Sequence, residues 1–530
     1  MAHLDVAGLE YGLPDGRLLF RDVSFRVADG ARVALVGANG SGKSTILRMV
    51  TDEVAAHAGA ISRSGRVGYM RQFIGDASAP TTVRQLLLGA APEPVRRAAE
   101  VVSTEEARMH AVGDEQSQLR YANALVAYTD VGGYDMEHVW ELCTQQAFGL
   151  SYDECALRPI TTFSGGEQKR LVLEALLRGP FDVLLLDEPD NFLDVPGKRW
   201  LEDSLISSGK TSLFVSHDRE LLARVATRIV TIEGRSAWTH PASFATYAEG
   251  RAARLDRLDG EHKRWDDEHA RLKQLVLTLR QQAAISPDMA SRYRAMQTRL
   301  AKFEESERPA ERPRDQKILM KIPGGRTAVR AVRMDDLELQ DLTYPFSMEI
   351  FYGDRVAVIG ANGTGKSHLL RLLAGFDVAH EGRFSLGSRV VAGWFSQLHD
   401  DPVLRGKTLI EALWADGRER GRAMSLLSRY ELNEQGDQLF DTLSGGQQAR
   451  FQVARLEASG ATLLLLDEPT DNLDLASAEA LEAALAGFDG TVIAVTHDRW
   501  FARGFSRFLA FGRDGEVTEA DVPDWGIDER

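Results

Sequence analysis

The stretch GANGSGKS at residues 37–44 occurs a second time in this 530-residue chain, as GANGTGKS at residues 360–367. Each copy follows an apolar run typical of a buried strand, at residues 33–36 and 356–359, and each opens a helical pattern. This context predicts a phosphate-binding loop, in which glycines let backbone N–H groups surround the phosphates, the lysine reaches the terminal phosphates and the serine hydroxyl holds Mg²⁺. The predicted phosphate contacts are Gly37, Asn39, Gly40, Gly42, Lys43, Ser44 and Thr45, and Gly360, Asn362, Gly363, Gly365, Lys366 and Ser367.

The same series of short motifs follows each loop: a glutamine, then Ser-Gly-Gly, then Asp-Glu-Pro after an apolar strand, and finally a histidine. The serine precedes the glutamate by 24 residues in both copies, and the glutamate precedes the histidine by 29. These spacings indicate a duplicated, mostly parallel α/β nucleotide-binding unit. The residues are Gln72, Ser164, Gly165, Gly166, Asp187, Glu188 and His217 in the first copy, and Gln397, Ser444, Gly445, Gly446, Gln448, Asp467, Glu468 and His497 in the second.

Composition and charge limit the other possibilities. The length allows about two to four domains, and no apolar run approaches the ~18 residues of a membrane span. The two cysteines, Cys143 and Cys155, lack metal-ligand spacing, which is typical of a reducing cytoplasm. The net charge is −15, yet residues 251–330 carry 19 lysines and arginines against 12 aspartates and glutamates. This segregation indicates a basic element that meets a polyanion, carried on acidic domains.

The motifs resemble those of the ATP-binding cassette (ABC) superfamily, with Walker A, Q-loop, signature, Walker B, D-loop and H-switch each present twice. Two cassettes in one chain, joined by a charged linker and without a membrane span, resemble the ABC-F family of ribosome-binding ATPases. The resemblance implies an α/β fold of two tandem P-loop nucleotide-binding domains joined by a helical hairpin. It also implies that the cassettes close head to tail on two ATP molecules. One site would pair residues 37–45 with 444–448, and the other would pair 360–367 with 164–168.

The expected roles follow from the motifs. Glu188 and Glu468 orient and polarise the attacking water, and His217 and His497 close on the γ-phosphate. Tyr11 occupies the position where the family stacks an aromatic ring on adenine. The second cassette is shorter there, so that Leu339 aligns with Tyr11 and Tyr344 is the nearest aromatic. The expected Mg²⁺ ligands and sensors are Ser44, Gln72, Asp187, Ser367, Gln397 and Asp467.

The predicted domains are residues 1–247, a linker at 248–330 and a second cassette at 331–530. The first cassette has about 45 extra residues, roughly 90–135, which resemble the helical arm of ABC-F proteins. A larger helical subdomain without a partner is the alternative. In the linker, a helix of about 34 residues and a second one starting near Ser286 and Pro287 are expected to form a hairpin. Its apolar faces would be Leu272, Leu275, Val276 and Leu279 on one helix and Tyr293, Met296, Leu300 and Phe303 on the other.

The resemblance implies that this hairpin approaches P-site tRNA and the peptidyl-transferase region, with Arg280, Arg292, Arg294 and Arg299 as RNA contacts. A solvated charged spacer is the alternative. The expected function is a cytoplasmic, monomeric, Mg²⁺-dependent ATPase that binds the bacterial ribosome in its ATP-bound closed state and leaves after hydrolysis. It would serve either translation or antibiotic ribosome protection. The alternatives are the ATPase subunit of a membrane transporter and a DNA-associated ABC ATPase.

Overall fold

The computed structural model describes residues 2–14, 16–72, 81–284, 289–305, 308–309, 312–313, 318–396, 404–415, 417, 419–523 and 525. Contacts divide the chain into two units. One unit combines Met1–Thr239 with Gln316–Arg530 and holds both cassettes, and the other is the linker unit His240–Asp315. The chain from residue 318, where the described residues resume, therefore belongs with the cassettes.

The first cassette supplies strands β1 to β9 and helices α1 to α9. The strands are His3–Gly12, Leu18–Val27, Arg32–Gly37, Ala58–Ser64, Val67–Met70, Val183–Asp187, Thr211–Val215, Arg228–Glu233 and Ser236–His240. The helices are Lys43–Val50, Val83–Ala90, Glu93–Val112, Glu115–Asp130, Gly133–Phe148, Tyr152–Cys155, Gly165–Arg178, Val195–Ser207 and Arg219–Val225.

The linker unit supplies α10, Tyr247–Ala283, and α11, Met289–Glu305. The second cassette supplies strands β10 to β18 and helices α12 to α16. The strands are Arg330–Leu339, Phe346–Phe351, Arg355–Gly360, His380–Leu386, Ala392–Phe395, Leu463–Asp467, Thr491–Val495, Arg507–Phe511 and Val517–Ala520. The helices are Lys366–Leu373, Leu409–Ala415, Arg420–Arg429, Gly445–Ser459 and Leu475–Ala486. Short 3₁₀ helices are Ile160–Thr162, Phe244–Thr246, Asn433–Gln435, Phe440–Thr442 and Phe501–Gly504.

Each cassette is built on a six-stranded sheet with the same order. The order is β5-β6-β7-β3-β8-β9 in the first cassette and β14-β15-β16-β12-β17-β18 in the second. The central strands pair in parallel, and β6, β7, β15 and β16 are buried along their whole length, which is why such strands are nearly continuous apolar runs. Because β6, β7 and β3 are neighbours, the residues that follow them meet at one sheet edge. This edge receives the phosphate loop, the Asp-Glu pair and the histidine.

Glycine is required where the phosphate loop leaves its strand. Gly37 has φ 154°, and a Cβ there would lie 2.5 Å from the Ile232 carbonyl oxygen. Gly360 has φ 139°, and its Cβ would lie 2.3 Å from the Phe511 carbonyl oxygen. The loop therefore approaches the neighbouring strand more closely than any side chain permits.

The extra residues of the first cassette form α3 and α4, which pack on each other and on α5. Val95 and Ala99 on α3 and Ala124 and Tyr128 on α4 are buried in one cluster with Trp140 of α5. In the corresponding part of the second cassette, the described residues 404–415 and 419–443 contain the short helices α13 and α14. The insertion is thus helical, and its apolar residues join one core with α2, α5 and α7 of the first cassette.

The linker unit is a helical hairpin of α10, with 37 residues, and α11, with 17. Leu272 is buried, but the side chain of Leu275, expected on the same face, is 39% exposed. Trp265 and His269 of α10 stack on Phe303 of α11, with the Trp265 and Phe303 ring centroids 5.2 Å apart. The expected start of the second helix at Ser286 and Pro287 lies outside the described residues.

The Trp140 side chain is fully buried among the helices of the first cassette. We expect Trp140→Ala to lower the free energy of unfolding by about 3–5 kcal/mol, because the cavity left behind loses both apolar burial and packing. The matched control is Trp414→Ala, whose side chain is 72% exposed, with an expected cost of about 0.5 kcal/mol or less. Urea unfolding followed by circular dichroism measures both. Equal losses would contradict the packing of α5.

Candidate nucleotide sites between the cassettes

The two loop lysines are held across their own loops. Lys43 Nζ donates to the carbonyl oxygens of Gly37, at 2.8 Å, and Ala38, at 3.0 Å. Lys366 Nζ makes the equivalent bonds to Gly360, at 3.0 Å, and Ala361, at 2.6 Å. Both side chains are buried, and burial lowers the pKa of each lysine while neighbouring carboxylates such as Glu188 and Glu468 oppose that shift. Each loop therefore contains a lysine ammonium group whose positive charge is not neutralised by the uncharged carbonyl groups it contacts.

The Ser-Asp pairs expected at Mg²⁺ lie within hydrogen-bonding distance. Ser367 Oγ donates to Asp467 Oδ1 at 3.0 Å, and Ser44 makes a side-chain hydrogen bond to Asp187. Burial raises the pKa of Asp467 to about 6 despite the Ser367 bond. A hydroxyl and a carboxylate beside a buried phosphate loop are the oxygen ligands that Mg²⁺ prefers, so the donor set fits this ion.

The two glutamates after the aspartates have left-handed backbones, with φ 49° at Glu188 and 46° at Glu468. Non-glycine residues are strained there, and such strain concentrates at functional sites. Glu188 Oε2 accepts hydrogen bonds from Gln72 Nε2 and Asn191 Nδ2, both at 2.7 Å. Glu468 Oε2 accepts instead from the backbone N–H of His497 at 3.0 Å. The two glutamates are therefore held differently.

This difference has an electrostatic cause. Asp471 stands where the first cassette has Asn191, so a carboxylate faces Glu468 where an amide donates to Glu188. Burial, then Asp471 and Asp467, raise the pKa of Glu468 to about 8. Burial and then Asp187 also raise the pKa of Glu188, while Lys169 lowers it. Without nucleotide, Glu468 is therefore mostly protonated at neutral pH.

The two H-switch histidines are neutral, with His497 buried and His217 partly buried. Burial, and then Lys43, lower the pKa of His217 to about 3. Burial, followed by Lys366 and Lys198, lowers the pKa of His497 well below its ordinary range. Neither ring nitrogen of His217 has a hydrogen-bond partner among the described residues. A buried polar group without a partner is costly, and a phosphate oxygen beside Lys43 would accept the N–H of this imidazole. The site thus fits a nucleotide triphosphate.

Each phosphate loop lies against the opposite cassette. The backbone N–H of Asn39 donates to Asp474 Oδ2 at 3.1 Å, and Asn39 Nδ2 donates to the Asn472 carbonyl at 2.8 Å. Asn362 Nδ2 donates to the Phe192 carbonyl at 3.0 Å. A cavity of about 330 Å³ lies between the cassettes at the second loop. Its lining includes Ser164, Gly165, Gly166, Asn362, Gly363, Gly365, Lys366, Ser367, Glu468 and His497.

For three of the predicted ATP-binding residues, the structure shows no hydrogen bond with a phosphate loop among the described residues. Gln448 is buried, and its Nε2 donates to the Phe440 carbonyl at 3.0 Å. Gln397 lies outside the described residues. Tyr11 lies beside His57, with ring centroids 5.0 Å apart.

Val6 pairs with Phe25 in the first cassette, and Met334 pairs with Met348 in the second, so Val6 and Met334 are equivalent positions. Tyr11 and Leu339 each lie five residues further along the strand, which supports their alignment. Leu339 is fully buried, whereas the nearby Tyr344 is 62% exposed. The strand position equivalent to Tyr11 therefore carries a buried leucine and no aromatic ring in the second cassette.

Comparison with known proteins identifies the family. The ABC transporter family matches residues 20–191 and 344–471. ABC transporter F family member 5 of Arabidopsis thaliana is 30% identical, over 92% of this chain and 72% of that protein. This chain is an ABC-F protein. Its cassettes are ABC ATPase domains, which hydrolyse ATP.

This ABC-F protein is also similar to one further sequence and to one solved structure. An antibiotic resistance protein of Mycobacteroides abscessus is 52% identical, over 99% of this chain and 100% of that protein. The crystal structure of an archaeal ribosomal stalk protein in complex with the ribosome recycling factor aABCE1 has a TM-score of 0.55. Its identity is 18%, over 96% of this chain and 89% of that chain, and it supports the tandem-cassette fold alone.

Sequence reasoning missed the ion pairs that join the cassettes of this ABC-F protein. Arg219 pairs with Glu482, and Arg499 pairs with Glu202. Both arginines lie two residues after an H-switch histidine, and both glutamates lie 14 residues after a Walker B glutamate. The duplication contains this reciprocal pattern, so comparing charged residues at equal offsets in the two halves would have found it.

The raised pKa of Glu468 gives a testable pH dependence. An exposed glutamate titrates near 4.5 and Glu468 near 8, so the unfolded chain releases this proton first. The free energy of unfolding therefore decreases as pH rises from about 4.5 to 8. We expect Glu468→Gln to stabilise the nucleotide-free protein more at pH 8 than at pH 5, by on the order of a few kcal/mol.

Urea unfolding at the two pH values measures this difference. In an Asp471→Asn background the difference should shrink, because the facing carboxylate is gone. Glu434→Gln, at an exposed position, is the surface control. A Glu468→Gln effect that is the same at both pH values would contradict the raised pKa.

Proposed function

We propose that this ABC-F protein closes on two ATP molecules with Mg²⁺, binds the bacterial ribosome in that closed state and is released after hydrolysis. The observation that carries the proposal is that each phosphate loop is bonded to the opposite cassette, through Asn39 and Asn362. A nucleotide between the cassettes completes a site that neither cassette forms alone. One chain holds both halves of both sites, so the protein is proposed to act as a monomer in the cytoplasm.

The proposed chemistry uses the residues at the sheet edge. Lys43 and Lys366 neutralise the terminal phosphates, and the N-termini of the two signature helices add favourable dipoles. Mg²⁺, when bound by Ser44 and Asp187 or by Ser367 and Asp467, supplies charge neutralisation. Glu188 and Glu468 orient the attacking water, and His217 and His497 donate to the γ-phosphate.

The two sites are proposed to be unequal. Glu188 is held by Gln72 and Asn191, which stabilise its carboxylate. Burial and Asp471 raise the pKa of Glu468 to about 8, so this group must lose its proton before it can orient water as a carboxylate. Hydrolysis at either site removes contacts made only with the triphosphate, so the closed arrangement loses its differential stabilisation.

The linker hairpin is the proposed contact to RNA. Arg280, Arg292 and Arg294 are exposed and have no ion pair among the described residues, whereas Arg299 lies 3.8 Å from Glu268. Unpaired arginines can contact phosphates at little electrostatic cost, and such binding depends on salt. P-site tRNA near the peptidyl-transferase region is the proposed target.

Between the two expected roles, ribosome protection against an antibiotic has the stronger support. The Mycobacteroides abscessus relative is named an antibiotic resistance protein and matches this chain from end to end at 52% identity. The described residues include no helix long and apolar enough to cross a membrane. The alternative role, the ATPase subunit of a membrane transporter, gives no reason for an arginine-rich hairpin.

The decisive experiment is sedimentation of the Glu188→Gln, Glu468→Gln double variant with bacterial ribosomes. Removing both carboxylates should keep ATP binding but slow hydrolysis, so that the closed state accumulates. We expect ribosome binding with ATP and not with ADP. The Lys43→Ala, Lys366→Ala variant, which should lose the phosphate contacts, is the control and should not bind. Absence of ribosome binding in either nucleotide would contradict the proposal.

A charge-reversed hairpin tests the RNA contact. Arg280→Glu, Arg292→Glu, Arg294→Glu in the trapped variant should lower ribosome affinity about tenfold or more at physiological salt. Arg228→Glu, Arg383→Glu, Arg422→Glu reverses the same number of exposed arginines on the cassettes and is the matched control. Growth of a susceptible bacterium expressing each variant, on a panel of ribosome-targeting antibiotics, then separates resistance from a general translation role.

A further inference from the structure

Lys198 is a buried lysine in the second nucleotide site that belongs to the first cassette. It lies on α8, its side chain is 8% exposed, and it lines the cavity beside Glu468 and His497. Lys198 Nζ donates to the His497 carbonyl at 3.3 Å. The N–H of the same residue donates to Glu468 Oε2. A cation of one cassette thus contacts the backbone segment that holds the water-orienting glutamate of the other.

Carboxylates surround this lysine. Asp218 Oδ2 lies 3.0 Å from Lys198 Nζ, and Asp190, Asp471 and Asp498 are close enough to act on it electrostatically. Burial lowers the pKa of Lys198, but Asp218, Asp190 and Asp471 more than offset this and raise it above its ordinary value. The lysine is therefore charged, and the surrounding carboxylates and the His497 carbonyl orient the N–H groups of its Nζ.

The arrangement has no equivalent at the first site. The residue at the corresponding place in the second cassette, 280 positions later, is Ala478. The acidic neighbours are also particular to this site, since Asp190 corresponds to Thr470 and Asp471 corresponds to Asn191. A buried ammonium is costly unless it is paired. Asp218, the nearest carboxylate, belongs to the same cassette as Lys198, whereas Asp471, Asp498 and the His497 carbonyl belong to the second cassette. The contact with His497 therefore requires the two cassettes to be in contact.

We propose that Lys198 is a positioning residue supplied in trans, which holds the His497–Glu468 segment of the second nucleotide site in register for hydrolysis. It reaches the reacting water only through that segment, so it is not a catalytic residue itself. The bond from Lys198 to the His497 carbonyl makes hydrolysis at the second site depend on contact with the first cassette. The first site has alanine at the corresponding position and lacks this dependence. The inference rests on the proposed roles of Glu468 and His497.

The test compares three variants by steady-state ATP hydrolysis. Lys198→Ala installs the residue of the other cassette. The triple variant Lys198→Ala, Asp190→Thr, Asp471→Asn also removes the two excess carboxylates, again with the residues of the other cassette. Lys210→Met is the control, because Lys210 is another partly buried lysine of the first cassette that donates to backbone carbonyls, those of Leu176 and Gly179.

We expect Lys198→Ala to lower kcat about ten- to a hundredfold, as for loss of a charged hydrogen bond, with a small change in KM. The triple variant should regain the thermal stability of the wild type but keep the low kcat. Lys210→Met should retain the wild-type kcat. Full recovery of kcat in the triple variant would overturn the proposal, because Lys198 would then serve only to balance charge.

Single-site backgrounds locate the effect. Lys198→Ala should reduce kcat more in Glu188→Gln, where the second site hydrolyses, than in Glu468→Gln. Equal losses in the two backgrounds would also overturn the inference. The Glu188→Gln and Glu468→Gln parents separately test the proposed function: if neither is slower than the wild type, the glutamate assignment fails whatever Lys198 does. If both parents are inactive, the comparison of Lys198→Ala with the triple variant in the otherwise wild-type chain still decides.

Discussion

The hydrogen bonds from Asn39 to Asp474 and Asn472, and from Asn362 to Phe192, join each phosphate loop to the opposite cassette. The closeness of this contact is set by glycine. A Cβ on Gly446 would lie 2.1 Å from Asn39 Nδ2, and one on Gly166 would lie 3.6 Å from Asn362 Nδ2, each on the phosphate loop of the opposite cassette. These glycines lie in the first turn of the signature helices α7 and α15, which begin at Gly165 and Gly445, so the helix N-termini can approach the phosphate loops. Both nucleotide sites depend on this approach.

Charge makes the interface conditional. Lysines, aspartates and glutamates are buried together where the cassettes meet, and isolated buried charges are costly. Reciprocal ion pairs, Arg219 with Glu482 and Arg499 with Glu202, surround the sites. Separation of the cassettes would break these pairs but rehydrate their charges, so they contribute specificity of alignment more than net affinity. Such an interface suits a protein that must open as well as close.

The two halves are duplicated in sequence but unequal in chemistry. Asn191 donates to Glu188, whereas the corresponding Asp471 raises the pKa of Glu468. Lys169 donates to the Glu188 carbonyl, and the corresponding residue of the second cassette is Ala449. Single substitutions around a common backbone thus change the ionisation of the water-orienting group without changing the fold.

The sequence by itself determined the fold and most of the site. The repeated loops at 37–44 and 360–367, with equal spacings to Glu188 and Glu468, require two copies of one α/β unit, because parallel strands deliver such motifs to one sheet edge. The helical nature of the insertion and of the linker followed from periodicity. The exposure of Leu275 did not, because a 3.6-residue pattern identifies a face but not how far the partner helix covers it.

Only the tertiary structure decided what crosses between the cassettes. Lys198, Asp190 and Asp471 belong to ordinary polar helix and loop positions in the sequence, and nothing local marks them as neighbours. Gln448 follows a signature motif, yet its amide is bonded to the Phe440 carbonyl. Contacts between residues about 300 positions apart, such as Lys198 with His497, depend on how two finished surfaces meet. Motif spacing determines which residues each cassette exposes, but the charge interactions between the two surfaces form only when the cassettes pack together.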